Sequence, residues 1–123
     1  MKQNVLLRIT SLFTVLLATL HLTSDIVGGE VMTPGGFLTV VIILVVWLCG
    51  ALLLAERLSG LVILLLGSLF GLVIPFLHLM GPRGFVGRDY FFVWTCLAIG
   101  TSTAFSLILS VRGLWSLKRG RPT

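Results

Sequence analysis

Apolar residues run almost without interruption through four stretches of the chain, at about residues 5–22, 37–55, 61–80 and 90–111, with charged residues kept to their ends and to the gaps between them. Crossing a hydrocarbon core takes roughly 20 helical residues, and each stretch is of that order. Lipid offers no water to an unpaired backbone, and the period-two alternation of a membrane barrel is missing, so the four stretches are predicted to be helices. The expected fold is all-α: a single membrane domain over residues 1–123, built as a four-transmembrane-helix antiparallel bundle in up-down-up-down order. Residues 56–60 alone join the second and third spans, which predicts a tight hairpin with Gly60 as the break. The first and third connections hold GGEVMTPGG and GPRGFVGRD, whose glycines and prolines stop helices and favour turns.

Composition agrees with this reading. Hydrophobic residues make up 57% of the chain and charged residues 11%, with a mean hydropathy of +1.13, and a water-exposed globule could not cover its surface from that supply. The longest connection, residues 23–36, has 14 residues, so no connection can hold an extramembrane catalytic domain. No residue set resembles a Ser-His-Asp, zinc-protease or phosphate-binding site, and the expectation is a protein that is not an enzyme. The first span carries Lys2 and Arg8 ahead of an apolar run, as a signal peptide would. TLHLTSD lacks a small-x-small cleavage pattern, which favours an uncleaved helix.

A net charge of +5 invites a nucleic-acid reading, but the charges lie at membrane ends, and no nucleic-acid partner is expected. Of nine Lys and Arg residues, Lys2, Arg8, Arg57, Arg112, Lys118, Arg119 and Arg121 fall on one side of the four-span arrangement, leaving only Arg83 and Arg88 on the other. With connections this short the positive-inside rule applies, placing both N- and C-termini in the cytoplasm of a multi-pass protein of the plasma (inner) membrane. Asp25, Glu30 and Asp89 are then external. The tail RGLWSLKRGRPT is expected to rest on anionic headgroups, with Trp115 as anchor.

Helices associate in lipid through close backbone approach at small side chains. Gly67 and Gly71 form a GxxxG pair on the third span, and Ala98, Ser102, Ser106 and Ser110 recur every fourth residue on the fourth. These are candidate packing stripes, the serines being open also to a reading as a polar path. Pro75 removes a hydrogen bond within the third span and predicts a kink there. Cys49 and Cys96 fall at depths that differ by about 9 Å along their helices, too far for a disulfide. They read as buried thiols that act as small hydrophobes.

Both histidines, His21 and His78, fall in the last turn of an outward-running span, with Asp25, Glu30 and Asp89 nearby. If the first helix runs one turn further, His21 and Asp25 stand at i and i+4 on one face. Several chemistries use such a set. The two imidazoles suit the axial positions of a b-type haem, or a divalent transition metal with Asp25 or Glu30 completing the shell, or a proton relay. Against these stands the plain reading, interfacial histidines that bond water and headgroups and hold no cofactor. The strings HLTSDIVGG, VVWLCGALLLAERLSG, LLGSLFG and SVRGLW together resemble a group of small bacterial four-helix integral membrane proteins. That resemblance implies four spans and a bacterial membrane, with no activity or site residues attached. The expected role is a structural or accessory subunit that meets the lipid bilayer and a membrane-protein partner or a second copy through its helix faces.

Overall fold

The computed structural model describes residues 2–28, 33–54, 57–81 and 84–119. Glu30, Glu56, Arg83 and Arg121 lie outside them, and so does any part that Glu30 would play in a metal shell. Four α-helices make up the described chain: α1 (Lys2–Val27), α2 (Pro34–Leu53), α3 (Leu58–Met80) and α4 (Tyr90–Lys118). All four are long and apolar enough to cross a membrane.

The helices overrun the apolar stretches, and local chemistry explains where. In α1 the hydroxyl of Thr23 donates to the carbonyl of Thr19 at 2.8 Å, so the polar turn beyond Leu22 stays helical and carries Asp25 with it. Thr33 caps α2 by accepting from the Gly36 amide at 3.2 Å, and Pro34 takes the first helical position, where its missing N–H costs nothing. Gly60 is a correction to the expected hairpin break: it lies inside α3 and is buried. The break falls at Arg57 instead, whose extended backbone precedes Leu58. α3 continues through Pro75 to Met80, and α4 continues through most of the basic tail, with Arg119 resting 4.6 Å over the Trp115 ring.

α4 packs along α1 and α3, and α2 along α3 and α1. Contacts fix the directions: His21 and Thr14 of α1 meet Thr95 and Ser102 of α4, while Trp47 and Gly50 of α2 meet Gly67 and Ile63 of α3. In each pair one chain rises as the other falls. The interior is centred on Trp47, which is buried against Gly67 and Gly71, with Leu7, Leu61, Leu64 and Ile99 around it. Polarity is arranged inside out. Ser11, Thr14, Ser68, Thr95, Thr103, Ser106 and Ser110 are all buried, whereas Leu16, Leu66 and Ile108 stand on the outside. The threonines and Ser68 bond carbonyls of their own helix, as Thr103 does to Ile99 at 2.7 Å, whereas Ser11, Ser106 and Ser110 bury hydroxyls with no partner among the described residues.

Candidate metal centre

At one end of the bundle three helices bring His21, His78 and Cys96 together. α1 supplies His21 in the turn before its polar extension, α3 supplies His78 one turn beyond Pro75, and α4 supplies Cys96 from its second turn. The Nε2 atoms of the two histidines are 3.3 Å apart, and Cys96 Sγ lies 3.7 Å from His21 Nε2. One donor atom from each residue falls within 4.8 Å of the other two. Asp25 stands one turn along from His21, its Oδ2 3.8 Å from the same Nε2.

Thr95 is the hydrogen-bond partner of His21 Nδ1. Its Oγ1 lies 3.0 Å from His21 Nδ1 and within 2.9 and 3.0 Å of the Phe91 and Phe92 carbonyls. A hydroxyl has one proton to give, and the carbonyls can only accept it. The arrangement in which Nδ1–H of His21 donates to Thr95, leaving a lone pair on Nε2, keeps all of these contacts. That lone pair faces His78 and Cys96 together. In that arrangement one nitrogen acceptor faces two neighbours, with the Asp25 carboxylate 3.8 Å away. His21 is only 3% exposed to the outside of the bundle.

Phe92 closes the site on the α4 side. Its ring centroid lies 4.7 Å from that of His21 and 4.8 Å from that of His78, and the Arg88 guanidinium sits 4.8 Å over the same ring. The guanidinium is held by the ring face while its charge remains at the bundle end. The histidine rings themselves meet edge to face at 5.2 Å.

The expected residues are thus placed as follows. His21, His78 and Asp25 come together, joined by Cys96 and Thr95, which the sequence reading had left aside. A signal for Cys96 was present, since it lies within two turns of the start of its span, at the depth of the histidines. Both cysteines are free thiols, and Cys96 is buried as expected, but Cys49 is exposed, which corrects its reading as a buried thiol. Of the packing residues, a Cβ on Gly67 would meet the Trp47 indole at 2.5 Å, and one on Gly71 would collide with Thr103. Ser102 accepts from Thr14 at 2.9 Å, Ser106 is buried, and Ala98 packs against the core at partial exposure.

A bis-histidine haem needs the two imidazoles on opposite faces of a macrocycle. Here the two nitrogens are 3.3 Å apart and Phe92 touches both rings, so a haem between them would require the histidines to separate. No family model matches the chain, and no curated protein or solved structure matches it either.

Proposed function

We propose that this protein is a multi-pass protein of a bacterial plasma membrane that holds a divalent transition metal at the outer end of its bundle. The bundle is taken as up-down-up-down with both termini cytoplasmic, on the strength of its asymmetric basic residues. His21 and His78 bind through Nε2 and Cys96 through its thiolate, with Asp25 as a fourth group or as a hydrogen-bond acceptor beside the ion. The observation that carries this reading is the spacing of the donor atoms. Tetrahedral coordination at about 2.0–2.1 Å for nitrogen and about 2.3 Å for sulfur sets donors about 3.3–3.6 Å apart. The separations of 3.3 and 3.7 Å from His21 Nε2 are close to that, and with the three donor atoms within 4.8 Å of one another, closing on an ion asks His78 and Cys96 to draw together. A mixed imidazole and thiolate set suits zinc and its neighbours better than magnesium or calcium, which take oxygen ligands. Thr95 supplies the outer hydrogen bond that metal-bound histidines characteristically make.

The test is metal content. The full chain is purified in detergent, stripped with chelator, loaded with Zn2+ or Co2+, and its bound metal counted. One ion per chain is expected, and tetrahedral cobalt with a thiolate ligand adds intense visible and near-ultraviolet bands. His21→Ala, His78→Ala and Cys96→Ser should each lose the ion, with helical content by circular dichroism retained. Asp25→Asn should weaken binding less. Equal metal in the parent chain and in all three ligand variants would sink the site and leave the histidines as interfacial residues.

A further inference from the structure

Ser11 of α1 and Ser106 of α4 are 0% exposed and Trp47 of α2 is 1% exposed, yet Ser11 Oγ, Ser106 Oγ and Trp47 Nε1 have no hydrogen-bond partner among the described residues. The serines leave unused the bond nearest to hand. Thr14, Ser68, Thr95 and Thr103 are just as buried, and each gives its proton to a carbonyl one turn back in its own helix, the usual resort of a hydroxyl in an apolar helix. The indole N–H can only donate, and the interior offers it no water unless water is bound there.

The three groups fall in one layer of the bundle. Thr14 meets Ser102 at 2.9 Å, and a Cβ on Gly71 would lie against both Thr103 and Trp47 Cη2, so these contacts set a common level for all four helices. From that level Ser11 is three residues on in α1, Ser106 three or four on in α4, and Gly67 four on in α3, all leading away from the histidines. Gly67 lies against Cε2 of the indole, the ring atom bonded to Nε1. At about 1.5 Å per residue, all three positions are about 4.5–6 Å beyond the common level. Ser106 also stands one turn from both Ser102, which faces α1, and Thr103, which faces α3, and so lies on the α4 surface between them.

We propose that this layer is a water site: an ordered water accepts from Trp47 Nε1–H and exchanges hydrogen bonds with the hydroxyls of Ser11 and Ser106. Three bonds are what a buried water typically makes, and water can accept from the indole while donating to a serine. An anion would also suit these donors, but burying a charge costs far more than burying a neutral molecule, and Arg8 belongs to the next turn of α1. The water gives the bundle a link it otherwise lacks. α2 and α4 stand diagonally across the interior with no direct approach of their backbones, and the water joins them to each other and to α1.

The test uses the full chain in detergent, isotope-labelled at its tryptophan nitrogens, with the Trp47 indole signal assigned as the one lost in Trp47→Phe. A nuclear Overhauser contact from water to the Trp47 N–H is expected, opposite in sign in the laboratory and rotating frames, as for a molecule held on the protein. The Ser11→Ala, Ser106→Ala double variant should weaken it by roughly threefold or more, since two of the water's three bonds go. Either single variant takes its place if the double one fails to fold. Ser110→Ala, one turn beyond the layer, should leave the contact as it is. No contact in the parent chain overturns the proposal, as does a contact of full strength in the serine variants. A Trp47 signal that shifts saturably with added chloride assigns the layer to an anion and overturns it too.

Discussion

The indole of Trp47 occupies the space a side chain on Gly67 would need, with ring atoms 2.5, 2.6 and 2.7 Å from the position of a Cβ. The glycine is a contact surface: its missing side chain lets α2 lay a tryptophan flat against α3. Gly67→Ala should therefore destabilise the bundle by roughly 1–3 kcal/mol, the cost of overpacking a filled core. Gly35→Ala, where nothing lies within 4 Å, should shift stability by less than about 1 kcal/mol, in the stabilising direction. Thermal unfolding in detergent compares them, and equal midpoints would count against the contact.

Thr95→Val keeps the shape of the side chain and removes the acceptor for His21 Nδ1–H. A buried N–H left unpaired costs roughly 1–3 kcal/mol, and loss of such an outer hydrogen bond weakens metal binding by about 10- to 100-fold. Thr103→Val, whose hydroxyl bonds only carbonyls of its own helix, should leave metal affinity unchanged. Competition with a chromogenic chelator would read both, and equal affinities would detach Thr95 from the site.

Ser11, Ser106 and Ser110 each bury a hydroxyl oxygen with no hydrogen-bond partner. Ser110→Ala removes a group that gains nothing from its surroundings, so stability should hold or rise. Thr14→Val breaks the bond to Ser102 and should cost about 0.6 kcal/mol, the average for such bonds between membrane helices. A Ser110→Ala variant less stable than Thr14→Val would show that this serine too holds a partner, such as a buried water.

The orientation is tested by fusion. A reporter active only in the cytoplasm, attached after Thr123, should give signal, and one active only outside should not. The reverse result would turn the bundle over and move the His21, His78 and Cys96 cluster to the cytoplasmic side.

The four helices were legible in the chain because a membrane span must be both long and apolar, and the two demands leave a continuous signature that no turn can imitate. Their ends were less so. Gly60 was read as a break, yet a glycine inside a membrane helix also serves close packing, and only its neighbours distinguish the uses. The i and i+4 pairing of His21 and Asp25 followed from helical geometry once α1 was seen to run on to Val27.

The amino-acid sequence by itself determined that this chain is four apolar helices with two histidines near matching ends of two of them, since span length and the position of polar residues are properties of the linear order. Which side chains touch was decided only by tertiary structure. Cys96 and Thr95 are consecutive on α4, yet both reach His21, about seventy-five residues away, because the rotation of α4 about its axis turns that stretch toward α1. Rotation is set by packing, by glycines against Trp47 and Thr103 and by Thr14 against Ser102. In an apolar helix with little amphipathic contrast the local record is faint: the stripe of Ala98, Ser102, Ser106 and Ser110 marks the packed side of α4 but not which residues of α1 it meets.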